Sequence, residues 1–191
     1  MLRTILTHGL IGGLIAGGLL SVIVLNFEGA TGQYGMAIGY LIMLIGLSAI
    51  FVAIKRQRDV AQGGVIRFWP ALGMGLAISL VAGIVYAICW DVALATIGID
   101  AFIDKFAGTM LDGKSGAELA KAQAEMASFR TAYHNPFFRL PMTFVEIFPV
   151  GVLVSLVSAA LLCNSRFLPA RGEEGPLPVT PAQAGVQGNK G

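Results

Sequence analysis

The chain has 191 residues, 55% of them hydrophobic and 13% charged, with a mean hydropathy of +0.75 and a net charge of +2. Soluble domains carry about 25% charged residues, so this composition speaks against an ordinary water-soluble fold and for a membrane protein. The near-neutral balance shows no nucleic-acid footprint.

Four apolar segments, 5–25, 35–54, 70–91 and 140–163, are each long enough to cross a bilayer, which takes about 20 helical residues. Backbone groups in lipid must satisfy one another, so helices are expected. The first segment follows Arg3 and is longer than the ~7–15 apolar residues of a signal peptide, and no A-x-A site follows it. It reads as an uncleaved helix. It carries Gly9, Gly13, Gly17 and Ser21 at intervals of four. His8, near its start, reads as a structural histidine.

The loop from Asn26 to Tyr34 has no Lys or Arg and carries Glu28, whereas Lys55, Arg56, Arg58 and Arg67 crowd the connection after the second segment. Arg3 lies before the first segment, and Arg166 and Arg171 follow the fourth. The positive-inside rule then puts both termini and the basic loop on the cytoplasmic side.

The third segment lies between Trp69 and Trp90, 21 residues apart. That is about 31 Å of helix, close to the ~30 Å hydrocarbon thickness. Tryptophan favours both interfaces, so Trp69 marks the inner height and Trp90 the outer one. Asp91 then sits at the outer boundary. A row of Ala71, Gly75, Ser79, Gly83 and Ala87 runs up the same face. Residues at i and i+4 share a face. With Gly151, Ser155 and Ala159 in the fourth segment, these rows are packing seams of one compact four-helix bundle, since lipid itself provides little drive for helix association. Homodimerisation through the first row is the alternative.

The outer connection, 99–136, has its own helical signals. Ser115 and Glu118 fit a capping box. Leu119, Ala122, Met126, Phe129 and Tyr133 line one face, and Lys121 and Glu125 can pair. Phe102 and Phe106 suit a shorter helix docked on the membrane surface, and the apolar stripe of the longer one either covers the bundle or lies at the interface. The expected form is a helical hairpin turning at Leu111–Lys114.

Glu146 lies 18 residues before Asn164, about 27 Å along a helix, which also places it near the outer rim. Pro149 follows one turn deeper. Asp91 and Glu146, with Arg139, Arg130 or His134 as partners, are the candidate site. It is either a structural pairing or a proton- or cation-binding rim. No catalytic or metal-ligand motif is present. Cys89 and Cys163 fit no zinc or redox spacing and lie near opposite ends, too far apart for a disulfide. The glycine clusters lack the order of a nucleotide loop, and no cofactor is expected.

Residues 168–191, rich in Pro and Gly, read as a disordered tail. Its segment VTPAQAGVQ resembles translated intergenic repeat DNA, an accidental extension in that reading. The membrane domain is 1–167.

Tyr133-x-Asn135-Pro136, then Thr143-Phe144-x-Glu146-x-x-Pro149-x-Gly151 and Leu156-Val157-Ser158-Ala159, with the basic inner loop and four spans, resembles the bacterial family of domain of unknown function 4199. The resemblance covers about 1–167 and implies a four-helix protein of the bacterial inner membrane, without an established activity. Three function classes follow in order of support. The first is a non-enzymatic membrane protein that packs with itself or a membrane-protein partner. The second is a small proton- or cation-coupled transporter using the rim carboxylates. The third is a membrane-embedded enzyme.

Overall fold

A computed structural model describes residues 1–26 and 35–169. The acidic loop around Glu28 and nearly all of the Pro/Gly-rich tail lie outside the described residues. Six α-helices and no strand occur among the described residues: α1 (Leu2–Asn26), α2 (Gly35–Arg56), α3 (Phe68–Ile97), α4 (Ile99–Leu111), α5 (Gly116–Tyr133) and α6 (Pro136–Leu162). A π-helical turn, Gln57–Ala61, follows α2 directly.

Helices α1, α2, α3 and α6 are long and apolar enough to cross a membrane. Their outward faces are also apolar: Leu10, Leu14, Leu41, Leu44, Leu80, Ile84, Ile88, Val145 and Leu153 are all exposed. A helix that is hydrophobic all round suits a lipid surround. The inward faces supply a core of Met43, Leu47, Ile50, Ile78, Tyr86, Ile147 and Leu162. Helix α1 packs on α2 and α3, and α6 packs on α2 and α3.

Close helix approach rests on small residues. A Cβ at Gly13 would lie 2.6 Å from the Ala82 carbonyl oxygen, and one at Gly9 or Gly17 would meet Val81 or Cys89 at 2.6 Å. The row on α1 is therefore filled by α3 of the same chain, which takes away the surface for dimerisation through that row. On the other side of α3, Gly75 faces Ser155, Gly151 faces Ser79, and Gly83 faces the Phe144 ring. The Ser79 and Ser155 hydroxyls lie 3.1 Å apart, and each also donates to a carbonyl one turn earlier, Gly75 or Gly151. A further seam joins α1 to α2, where Gly12 and Gly46 meet backbone to backbone.

The termini of the helices differ from the sequence expectation in several places. Helix α3 continues seven residues past Trp90, to Ile97, and ends at Gly98, whose φ of +90° suits glycine. Helix α6 starts at Pro136, four residues before the expected 140. Asn135 is its N-cap, its side chain accepting from the Phe137 N–H at 2.9 Å, and Pro136 takes the first helical position, where no N–H is needed. Ser115 does precede α5 in extended geometry, but its side chain makes no capping bond. The turn between α4 and α5 carries Gly113 at φ +73°. Lys121 and Glu125 approach to 3.9 Å on an exposed surface, and both cysteines are free thiols.

At the opposite end from the hairpin, Arg58 is fully buried. Its guanidinium donates to the carbonyls of Leu162 (3.5 Å), Phe167 (2.9 Å) and Leu168, and its Nε donates to Asp59 at 2.7 Å. Lys55 pairs with the other oxygen of Asp59. The last carbonyls of a helix have no intrahelical partner, and a cation there also meets the negative end of the helix dipole. Arg58 thus closes the C-terminus of α6.

Candidate functional site

Trp90 is buried, 8% exposed, beneath the α4–α5 hairpin. Its indole N–H donates to the Tyr133 hydroxyl at 3.0 Å. Phe102 meets Trp90 edge-on, with ring centroids 5.2 Å apart, and stacks on Tyr133 at 5.9 Å. Phe129 stacks on Tyr133 at 4.9 Å and Phe106 lies beside Phe129. Offset and edge-on ring pairs are the favoured arrangements. The apolar stripe of α5 therefore faces α4 and the end of α3, and the hairpin is fastened to the long helices by rings. Burial pushes the Tyr133 phenol above its ordinary value, which keeps the hydroxyl intact as Trp90's acceptor.

Arg139, in the first turn of α6 and only 7% exposed, ties this end together. Its Nε donates to Asp91 Oδ1 at 2.7 Å, with Nη2 on the same oxygen. Its Nη1 donates to the Tyr133 carbonyl at 2.9 Å, and its guanidinium stands 5.9 Å from the Tyr133 ring centre. The carboxylate at the end of this apolar run has a local partner: Asp91 on α3 is held by an arginine on α6. Arg130 and His134 go elsewhere. Arg130 bonds Asp100 (3.2 Å) and Asp104, and His134 Nε2 lies 3.2 Å from Asp100. The end of α5 faces α4 across the hairpin turn, so the acids one turn apart on α4 reach these cations before Asp91 or Glu146 can. His134 therefore does not join the site.

Glu146 is separated from the ion pair. It lies seven residues beyond Arg139 on α6, two turns or about 10.5 Å further along. There it lines a cavity of about 340 Å³ with Tyr40, Tyr86, Trp90, Phe102 and Tyr133, where α1, α2, α3 and α6 meet the hairpin. Met36, Met43 and Met142 complete much of its apolar wall. This volume is in the ~300–1,000 Å³ range of small-molecule sites. Among the described residues the Glu146 carboxylate has no hydrogen bond or ion pair, and its side chain is exposed at the open side of the cavity. The two acids thus occupy different environments: Asp91 is neutralised by Arg139, and Glu146 is an unpaired carboxylate beside aromatic rings. Such a pairing of negative charge with ring faces is suited to a cation carrying apolar groups.

Sequence reasoning identified Asp91, Arg139 and Glu146 but not Tyr40 or Tyr86, nor the role of Trp90 as a wall. Tyr86 lies five residues before Asp91 and so shares a helix region with it, but nothing in the local sequence points it at Glu146. Among the described residues, no group of three His, Cys, Asp or Glu side chains is placed to hold a metal ion.

Neither the curated proteins nor the solved structures contain a match to this chain. The model of the family described as "Protein of unknown function (DUF4199)" matches residues 7–164, which take in α1 from Thr7 onward, the other three long helices and the hairpin, and the chain belongs to that family.

Proposed function

We propose that this protein is a non-enzymatic binding protein of the bacterial inner membrane that takes up a small organic cation in the cavity beneath its hairpin. In this reading the four long helices form one bundle. Both termini and the Arg56–Arg67 loop are cytoplasmic, and the hairpin is on the outer side. The charge asymmetry supports that orientation: Arg3, Lys55, Arg56, Arg58, Arg67 and Arg166 all lie at the end opposite the hairpin.

The observation that carries the reading is Glu146, an unpaired carboxylate in a cavity walled by Tyr40, Tyr86, Trp90, Phe102 and Tyr133. An ionisable side chain within a membrane-spanning helix is a functional candidate by default. Ring faces attract a desolvated ammonium by about 2 kcal/mol or more, and the carboxylate adds charge complementarity. The test uses benzyltrimethylammonium and its uncharged isostere neopentylbenzene, read by Trp90 emission in a Trp69→Phe background. The cation quenches or shifts Trp90 at lower concentration than the isostere, and Glu146→Gln weakens the cation alone by about tenfold or more. Equal response to both compounds, unaffected by Glu146→Gln, removes the proposal.

A second reading, cation-coupled transport, is favoured by one observation. Glu146 lies ten residues inside α6 from Pro136, about 15 Å along the helix, within a span long enough to cross a membrane. Transporter sites lie near the midplane. Benzyltrimethylammonium flux into proteoliposomes that vanishes in Glu146→Gln distinguishes transport from binding without flux.

A further inference from the structure

The end opposite the hairpin holds a second cavity, of about 440 Å³, between the start of α1 and the end of α2. Its lining includes Arg3, Thr4 and His8 from α1, and Arg56 and Gln57 from α2 and the π turn. We propose that this cavity is a binding site for a phosphate group.

The charge distribution is the first reason. Lys55 and Arg58 flank Arg56, and both are already paired with Asp59. Arg3 and Arg56 have no hydrogen-bonded or ionic partner for their guanidinium groups among the described residues, and Asp59 is the one described carboxylate in the loop between α2 and α3. Arg3 and Arg56, both exposed and from different helices, therefore border one space with no counter-charge among the described residues. An anion between them would be attracted by both. Arginine's planar fork binds two oxygens of one anion at once, and a phosphate has enough oxygens to meet two forks.

The remaining donors fit the same ligand. Helix α1 begins here with no acidic residue in its first turn, so its initial N–H groups add positive potential. The His8 Nδ1 lies 2.9 Å from the Thr4 carbonyl. A carbonyl only accepts, so Nδ1 carries the proton and Nε2 of the neutral ring is an acceptor, able to meet a protonated phosphate oxygen or a bridging water but not to donate to the anion. The π turn separates the roles of neighbouring arginines: Arg56 and Gln57 border this cavity, while Arg58 turns to the end of α6. π-helical turns are frequent where a helix serves a site. Exposed Val60 lines the basic cavity beside Ala61, an apolar side against which an acyl chain would lie.

Two sources supply a phosphate group here, an anionic phospholipid headgroup and soluble phosphate. Native mass spectrometry from micelles doped with phosphatidylglycerol or phosphatidylcholine reads the first. The thermal midpoint with added inorganic phosphate, against equal ionic strength of chloride, reads the second. The variants are Arg3→Gln with Arg56→Gln, Arg3→Lys with Arg56→Lys, and Arg67→Gln as an exposed arginine outside the cavity. Retention of phosphatidylglycerol over phosphatidylcholine that falls about tenfold or more in the double glutamine variant, recovers in part with lysine and is unchanged in Arg67→Gln supports a headgroup site. A phosphate-specific rise in midpoint with the same pattern across variants supports a soluble ligand. If the double glutamine variant does not fold, Arg56→Gln alone is read in both arms with half the charge removed. Wild-type retention and midpoint shifts that the glutamine variants leave unaltered overturn the proposal.

Discussion

Gly46 tests the helix packing most directly. A methyl group added there would lie 2.6 Å from the Gly12 carbonyl oxygen, 2.7 Å from the Ala16 Cβ and 2.9 Å from the Ala16 nitrogen. Comfortable separations are about 3.3–3.6 Å for carbon to carbonyl oxygen and about 3.5–4.0 Å between carbons. All three obstacles are backbone or Cβ atoms, so no rotamer change relieves them and α1 must move from α2 by nearly 1 Å. Overpacking of this kind costs about 1–3 kcal/mol, and a gap of ~0.5–1 Å along the rest of the seam forfeits a quarter to a half of its dispersion attraction. Against this, alanine gains about 1 kcal/mol over glycine in helix propensity. The expected net loss for Gly46→Ala is about 1–2 kcal/mol, roughly a 5–30-fold change in the folded ratio. Gly18→Ala is the matched control, because nothing lies within 4 Å of its added Cβ; it is expected to be neutral or slightly stabilising. Reversible unfolding in mixed micelles measures both. A Gly46→Ala protein as stable as Gly18→Ala would refute the close α1–α2 approach.

Arg139→Gln is expected to lower stability by about 2–4 kcal/mol, and Asp91→Asn by only about 1 kcal/mol, because Asp91 is 35% exposed while Arg139 also serves the Tyr133 carbonyl; thermal unfolding of the two variants gives the order. With only two tryptophans in the chain, Trp69→Phe leaves the buried Trp90 and is expected to give blue-shifted emission poorly quenched by acrylamide, whereas Trp90→Phe leaves Trp69, 76% exposed, and gives the opposite. Arg58→Lys is expected to cost about 3 kcal/mol or more, since one ammonium cannot reproduce a planar fork across three carbonyls and Asp59; stability close to that of the unaltered protein would count against the clamp at the end of α6.

The long helices were legible because a run of some twenty apolar residues has one physical meaning wherever it occurs. Their ends were less so. Reading Trp90 as the marker of the outer interface relied on tryptophan's liking for such a boundary, yet this indole is covered by Phe102 and bonded to Tyr133. Hydropathy reports how a side chain partitions, not which neighbour covers it. The Gly12–Gly46 seam was readable in part: Gly12 and Ala16 form a second row of small residues beside Gly9, Gly13 and Gly17, turned toward a different helix. The capping box at Ser115 had the right residues without the bond. Arg58 was read only as loop charge, and no local pattern could have revealed its carbonyl partners, which lie more than a hundred positions later. The cavity beside Glu146 was illegible for the same reason, since all six helices supply its walls.

The separation between Arg58 and its carbonyls has a consequence for biogenesis. The acceptors lie 104 to 110 positions downstream. At synthesis rates of about 5–20 residues per second, the ribosome needs on the order of 5–20 s to deliver them after Arg58 emerges. During that interval the first two helices can be inserted while this guanidinium is still hydrated. The latch closes only after α6 and the residues just beyond it have been made, so a product truncated before them would be left with an unlatched arginine for quality-control proteases to recognise.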